Sequence, residues 1–138
     1  SGRLLVAWAL MLPQSVVCGV EQNPMLHQQA IATHDRLAPE VRGRIFLHCA
    51  DAFTMQQEWR QASVIIVDTI AFSDASVARL AEGLQGAQEG TRVVAFSQPL
   101  CPDPGRAPPG FVLARHAAYR TTGTGNCTAY IYKRSEAS

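Results

Sequence analysis

Short apolar runs alternate with amphipathic segments over roughly the first two thirds of the chain. The runs are rich in β-branched residues, which is typical of buried strands. The segments between them carry apolar residues at helical spacing, begin at capping residues and end at proline or glycine. This pattern predicts strands at 15–20, 44–49, 64–67 and 91–96, and helices at 3–12, 24–37 and 73–84, with a polar turn and a short helix at 51–61.

The pattern changes after residue 96. Prolines at 99, 102, 104, 108 and 109 predict a loop, and two longer runs at 111–119 and 127–133 predict an antiparallel hairpin. Alternating strands and helices predict an α/β fold, with a mainly parallel sheet covered by helices on both faces. The hairpin adds an antiparallel edge to that sheet. The helix at 3–12 is apolar almost all round and is therefore predicted to be buried.

Composition narrows the class of protein. The chain has 138 residues, 47% of them hydrophobic and 17% charged, with a net charge of +1. These values predict one folded domain, not a disordered chain. The near-neutral charge provides no strong field for nucleic acid or membrane. The longest apolar run, 4–12, is much shorter than the roughly 20 residues of a membrane span.

Carboxylates follow three of the predicted strands. Glu21, Asp51 and Asp68 stand where ligands bind in open α/β sheets, outside the carboxyl ends of the strands. A carboxylate after the second strand can accept hydrogen bonds from ribose hydroxyls, and Phe53 can lie against a purine ring. Each carboxylate alone could simply mark a strand that ends at the surface. The three together favour a nucleotide-like ligand.

The remaining polar residues give weaker signals. His27 and His34 share one predicted helix without a carboxylate set, so no metal site is predicted. His48 alternates with apolar residues and is predicted to lie in the core. Cys18 and Cys49, which are not in any C-x-x-C pair, are predicted to be reduced and buried. The sequence has neither a G-x-S-x-G elbow nor a P-loop.

Several of these stretches resemble the class I, seven-strand S-adenosylmethionine-dependent methyltransferases. Within that class the chain is most similar to the non-SET histone lysine methyltransferases of the disruptor-of-telomeric-silencing family. The most specific stretches are GVE at 19–21, VIIVDTIAF at 64–72 and EGTRVVAFSQPL at 89–100. The ending GTGNCTAYIYK at 123–133 resembles the last hairpin of that family.

The resemblance implies a Rossmann-like methyltransferase sheet and S-adenosyl-L-methionine as cofactor. Gly2 would be the final glycine of the loop around the methionine part of the cofactor. Glu21 would hold the ribose hydroxyls, and Asp51 with Ala52 or Phe53 would bind the adenine. It also implies a monomeric nuclear enzyme that methylates a core-histone lysine in nucleosomes, with no metal, no membrane and no sequence-specific nucleic-acid contact.

The acceptor side is implied in the same way. Asp68 would stand beside the methyl-sulfonium end of the cofactor, and Phe72 and Tyr130 would line a narrow channel for the lysine. Methyl transfer needs in-line alignment and a neutral amine, and desolvation in an aromatic channel disfavours the ammonium form.

The chain departs from the family at several positions. Asp68 replaces an asparagine, Gly123 replaces a tryptophan of the last turn, and Arg3 replaces the glutamine after the cofactor-loop glycine. The family's first strand and its acidic-glycine loop would precede Ser1. The resemblance therefore implies that residues 1–138 form a single, N-terminally truncated catalytic domain. We expect it to bind cofactor weakly and to expose a sheet edge.

Three other functions fit the sequence less specifically. One is a class I methyltransferase for RNA or a small molecule. Another is a non-catalytic module of the same fold that binds chromatin or a partner subunit. A nicotinamide-dependent oxidoreductase shares the acidic residue after the second strand, but the terminal hairpin and the D-x-x-A-F run at 68–72 argue against it.

Overall fold

A computed structural model describes residues 2–121 and 125–135, so Gly123 lies outside the described residues. The chain divides into two compact units, Ser1–Met55 and Gln56–Ser138, which we call the N-terminal and C-terminal units. No helix among the described residues has the length and apolar character needed to cross a membrane.

The N-terminal unit consists of a parallel strand pair and three helices. Its elements are, in chain order, helix α1 (Arg3–Met11), strand β1 (Val17–Glu21), helix α2 (Pro24–His34), helix α3 (Pro39–Arg42), strand β2 (Ile45–Cys49) and a 3-10 turn at Ala52–Met55. Asn23 caps α2, because its side chain accepts hydrogen bonds from the amides of Met25 and Leu26. Pro24 occupies the first turn of α2, where no amide donor is needed.

The core of the N-terminal unit is small. Ala9, Val17 and Ile45 are buried together, and Leu5 and Trp8 of α1 pack against them. Gly19 allows α1 to approach β1, since a Cβ atom there would overlap the Leu5 side chain. The Arg44 guanidinium donates hydrogen bonds to the carbonyl oxygens of Ala9 at 2.8 Å and Ser15 at 2.9 Å, and so ties the end of α1 to the start of β2.

Several burial predictions for this unit are wrong. Only Ala9 of α1 is buried, and the side chain of Met11 is 79% exposed. Cys18, Cys49 and His48 are also exposed. The physical reason is that α1 packs through a single stripe onto the face of the strand pair that carries Val17 and Gly19. Residues of alternate parity, such as Cys18 and His48, project from the other face.

The C-terminal unit is built on a mixed sheet of four strands. Its elements are, in chain order, helix α4 (Gln56–Trp59), strand β3 (Val64–Asp68), helix α5 (Asp74–Gly83), a 3-10 turn at Leu84–Gly86, and strands β4 (Arg92–Phe96), β5 (Phe111–Thr121) and β6 (Gly125–Arg134). The strand order is β3-β4-β6-β5, with β3 parallel to β4 and the other two pairings antiparallel. Val77 and Leu80 of α5 are buried, as are Val93 and Tyr132 of the sheet.

The α/β class and the terminal hairpin follow the sequence prediction, whereas the sheet does not. The described residues contain the six predicted strands, but these form two sheets and not one, and only two of the four pairings are parallel. Strand β6 inserts between β4 and β5, so the hairpin contributes two antiparallel pairings to the sheet. Within the described residues, β1 and β3 each pair on one edge only.

Removing the Tyr132 hydroxyl will destabilise the C-terminal unit. The Tyr132 side chain is fully buried, and its oxygen accepts a hydrogen bond from the Leu100 amide at 3.0 Å. We expect Tyr132→Phe to cost about 2 kcal/mol in the free energy of unfolding, because it leaves that amide unpaired in the interior. Urea titration measures the change. Tyr130→Phe is the matched control, and equal losses in the two variants would contradict this explanation.

Candidate functional site

The first group of candidate residues lies at the carboxyl ends of β1 and β2. Glu21 is the last residue of β1 and pairs in register with Cys49, the last residue of β2. The Ala50 amide donates to the Glu21 carbonyl oxygen at 3.2 Å, so the two strands end at the same level. The Glu21 and Asp51 carboxylates therefore stand at one edge of the N-terminal unit, as the sequence pattern predicts.

Each of these two carboxylates accepts a backbone hydrogen bond through one of its two oxygens. Oε1 of Glu21 accepts the Asn23 amide at 2.8 Å, and Oδ1 of Asp51 accepts the Phe53 amide at 2.9 Å. Among the described residues, no hydrogen bond engages the second oxygen of either carboxylate. The side chains are thus fixed in direction while each keeps an acceptor available to a ligand. Ala52 and Phe53 begin the 3-10 turn that follows Asp51.

Gly2 and Arg3 form the start of α1. Gly2 is the N-cap, with a left-handed φ of 71°, and a Cβ atom on it would lie 3.0 Å from the Cβ of Ala30 in α2. A side chain here would be both strained and crowded. The C-terminal end of α1 is tied to the start of β2 through Arg44, so Gly2 lies toward the carboxyl-end side of the strand pair. Arg3 is exposed in the first turn.

The second group of candidate residues lies in the loop after β3, in the C-terminal unit. Asp68 ends β3 and pairs in register with Phe96 of β4. Its Oδ1 accepts the Ile70 amide at 3.1 Å. Phe72 closes the next turn, because its amide donates to the Thr69 carbonyl oxygen at 3.0 Å. Asp68 and Phe72 therefore belong to one compact loop.

Tyr130 lies on the other face of the same sheet. It pairs in register with Ala95, whereas Asp68 pairs with Phe96, the next residue along β4. Neighbouring residues of a strand project to opposite faces, so Tyr130 and Asp68 face away from each other. Of the three predicted acceptor-side residues, the structure brings Asp68 and Phe72 together but leaves Tyr130 on the opposite face.

Tyr119, and not Tyr130, lies on the sheet face that carries Asp68. It pairs with Cys127 on the face that carries Phe96, and its ring meets the Phe96 ring edge-on at a centroid distance of 5.2 Å. Partial desolvation raises the pKa of the Tyr119 phenol, and a hydrogen bond from Ser97 opposes that rise. Asp68 contributes a further, smaller increase to this pKa, so the two groups interact electrostatically. The alternation of side chains along β5 could have identified Tyr119, but only with knowledge of how β5 pairs with β6.

Ser97 is the second residue that sequence reasoning missed. It directly follows β4 and has a φ of 85°, the single non-glycine residue with positive φ in the described part of the chain. Such a conformation costs roughly 1–3 kcal/mol and is often found where a loop carries function. The sequence around Ser97 contains no signal that predicts a positive φ at this residue.

No group of three or more metal-ligating side chains occurs among the described residues. Desolvation raises the pKa of the Cys101 thiol, and the nearby Asp103 carboxylate raises it further. This thiol is therefore protonated at neutral pH and is a poor nucleophile.

Comparison with known proteins gives a fold but no family. No protein-family model matches the chain, and no curated protein matches it in sequence. TrmN from Thermus thermophilus is similar in structure, with 17% identity and a TM-score of 0.72 over 95% of this chain and 40% of that one. An RNA methyltransferase from Salinibacter ruber, in complex with S-adenosyl-L-homocysteine, has 16% identity and a TM-score of 0.62, covering 100% of this chain and 95% of that one.

A third similar structure is the putative methyltransferase yhhF from Escherichia coli. It has 13% identity and a TM-score of 0.62, and the match covers 97% of this chain and 85% of that one. The chain has an α/β fold that resembles the fold of Rossmann-like methyltransferases. That fold agrees with the class I part of the family resemblance, while these structures give no support to its histone-specific branch. The chain spans less than half the length of the TrmN structure.

Proposed function

We propose that the protein is an S-adenosyl-L-methionine-dependent methyltransferase that acts on RNA or a small molecule. The observation that supports it best is the pair of carboxylates, Glu21 and Asp51, at the level carboxyl ends of β1 and β2. A ribose diol offers two hydroxyl donors, which fit a carboxylate with an available oxygen. Asp51 and Phe53 would bind the adenine. Gly2 and Arg3, at the start of α1, would lie against the methionine part of the cofactor.

The residues fit this cofactor chemically. S-adenosyl-L-methionine supplies a methyl group on a sulfonium, and the acceptor must present a nucleophile in line with it. The carboxylates of the N-terminal unit would hold the adenosine, and the local hydrogen bonds fix their direction before a ligand binds. In the C-terminal unit, the Asp68 carboxylate would accept an N–H of the acceptor, and Phe96 and Tyr119 would supply an aromatic surface beside it.

The proposed acceptor differs from the histone lysine that the family resemblance implies. One of the similar structures reported above is an RNA methyltransferase. Tyr130, the proposed wall of a lysine channel, projects from the sheet face opposite to Asp68. Histone partners and a nuclear location remain predictions from the resemblance.

Two measurements test the proposed function. Isothermal titration with S-adenosyl-L-homocysteine tests cofactor binding, and no binding at millimolar ligand would reject it. Transfer of a labelled methyl group is then compared for total RNA, a small-molecule extract, free histones and nucleosomes. Transfer to RNA or to a small molecule is expected. Label found only on histones would overturn the choice of acceptor and restore the family-based prediction.

Asp68 provides a separate prediction for the acceptor side. We expect Asp68→Ala to lower the methyl-transfer rate by about tenfold, which corresponds to the loss of roughly one charge-assisted hydrogen bond. Affinity for S-adenosyl-L-homocysteine should change much less. Asp103→Ala is a matched control, because Asp103 also accepts an amide two residues ahead, from Gly105 at 2.9 Å. Equal rates in both variants would exclude an acceptor role for Asp68.

A further inference from the structure

The side chain of Gln98 is directed back into the loop after β3. Its Nε2 group donates to the carbonyl oxygens of Thr69 at 2.9 Å and Phe72 at 3.1 Å, and lies 3.4 Å from that of Ile70. One side-chain amide group thus lies within hydrogen-bonding distance of three carbonyl oxygens in a segment that has no regular secondary structure. This segment, residues 69–72, connects Asp68 to Phe72, and we call it the acceptor loop.

Thr69 completes the link from the other side. Its side chain is fully buried, and its amide donates to the Phe96 carbonyl oxygen at 3.0 Å. Its hydroxyl also donates to that carbonyl oxygen and accepts a hydrogen bond from the Gln98 backbone amide at 2.9 Å. Residues 96 and 98 are therefore bonded to the acceptor loop through backbone and side chain alike.

The left-handed conformation of Ser97 makes this arrangement possible. Phe96 still belongs to β4, and the reversal at Ser97 turns Gln98 toward the acceptor loop. The Ser97 amide donates to the Thr128 carbonyl oxygen at 2.9 Å. This bond helps to hold a backbone conformation that is unfavourable for a serine.

Core packing does not hold the middle of the acceptor loop in place. Ile70 is 50% exposed, and Ala71 is exposed as well. Loop carbonyls at such a surface could be hydrated by water, at little cost to stability. What the Gln98 bonds add is a fixed position for the loop, and hence for Asp68 at its start and Phe72 at its end.

We propose that Gln98 is a positioning residue, which orders the acceptor loop so that Asp68 and Phe72 meet the acceptor in one arrangement. This proposal rests on the proposed methyltransferase function. It does not require Gln98 to touch the cofactor or the acceptor. Misplacing reacting groups by a small distance is enough to slow a transfer that depends on alignment.

The test replaces Gln98 with glutamate, which keeps the shape but sets a carboxylate against the carbonyl oxygens. Hydrogen exchange of the amides in residues 70–73 should become at least about tenfold faster. The kcat/KM for the acceptor should fall by about tenfold, with a higher KM for the acceptor and an unchanged affinity for S-adenosyl-L-homocysteine. Gln85→Glu is the matched control, since among the described residues the Gln85 side chain donates only to the Ala81 carbonyl oxygen of α5.

A second control separates positioning from simple destabilisation. Tyr132→Phe weakens the same unit without touching the acceptor loop, and it should leave acceptor kinetics near wild type at a temperature where both variants are folded. Unchanged loop exchange in Gln98→Glu would overturn the proposal. Faster hydrogen exchange in the loop of Gln98→Glu, together with acceptor kinetics equal to those of Tyr132→Phe, would also overturn the proposal. Gln98 would then have a structural role only.

Failure of the proposed function gives a different result. If the wild-type protein neither binds S-adenosyl-L-homocysteine nor transfers a methyl group, the proposed reaction and the role of Gln98 in it are both rejected. The exchange measurement still decides, independently of activity, whether Gln98 holds the acceptor loop.

Discussion

Replacing Glu21 with glutamine will lower the affinity for S-adenosyl-L-homocysteine between about 10-fold and 100-fold. The carboxylate of Glu21 is expected to accept the ribose hydroxyls, and hydrogen bonds to a charged group contribute roughly 1.5–3 kcal/mol. Glutamine loses the charge and one acceptor, but its remaining oxygen can still accept the Asn23 amide that Glu21 binds at 2.8 Å. The change should therefore act on the ligand and leave the fold intact.

The measurement is isothermal titration of both proteins with S-adenosyl-L-homocysteine at the same salt concentration. Glu40→Gln is the matched control, since it makes the same substitution in the first turn of α3 within the same unit. Its affinity should equal that of the wild type. If Glu21→Gln also binds like the wild type, Glu21 does not contact the ribose. The carboxylate pair would then no longer support an adenosine-binding site.

Replacing Arg44 with methionine will destabilise the N-terminal unit by about 3 kcal/mol. The Arg44 guanidinium donates to the carbonyl oxygens of Ala9, Leu12 and Ser15, two of them in partly buried bonds. Methionine retains much of the apolar length but leaves these carbonyls without their charged donor. Lysine should recover only part of the loss, because an ammonium group cannot reach along the three carbonyls as a planar guanidinium does.

Hydrogen exchange of the β1 and β2 amides, together with urea unfolding, measures this loss. Arg42→Met is the control, because the Arg42 side chain is exposed, two residues away in the chain. It should change stability by less than about 0.5 kcal/mol. A loss below about 1 kcal/mol in Arg44→Met would show that α1 is held to the strand pair mainly by the contacts of Leu5 and Trp8.

Much of the secondary structure could be predicted, because local spacing determines it. The runs at 44–49, 64–67 and 91–96 became strands within a residue or two of their predicted bounds. Asn23 and Ser73 cap helices as their residue types suggest. The Glu21 and Asp51 carboxylates stand at neighbouring strand ends because β1 and β2 are parallel and in register, so both strands end on the same side.

The acceptor side could not be predicted to the same depth. Whether Tyr119 or Tyr130 shares a face with Asp68 depends on the pairing of β4 with β6 and of β6 with β5. A shift of one residue would exchange the two. The burial of α1 also failed to follow its composition, because burial depends on what packs against a helix and not on how apolar it is.

The sequence by itself determined the α/β class, the strand ends that carry carboxylates and the hairpin at the C-terminal end. These features depend on residue type and on spacing over a few positions. The tertiary structure alone decided the order β3-β4-β6-β5, the left-handed backbone of Ser97 and the hydrogen bonds from Gln98 to the acceptor loop. The Gln98 hydrogen bonds join residues 26–29 positions apart in the chain, and the pairing of β4 with β6 joins residues still further apart. Such distant pairings leave no periodic signal in the sequence.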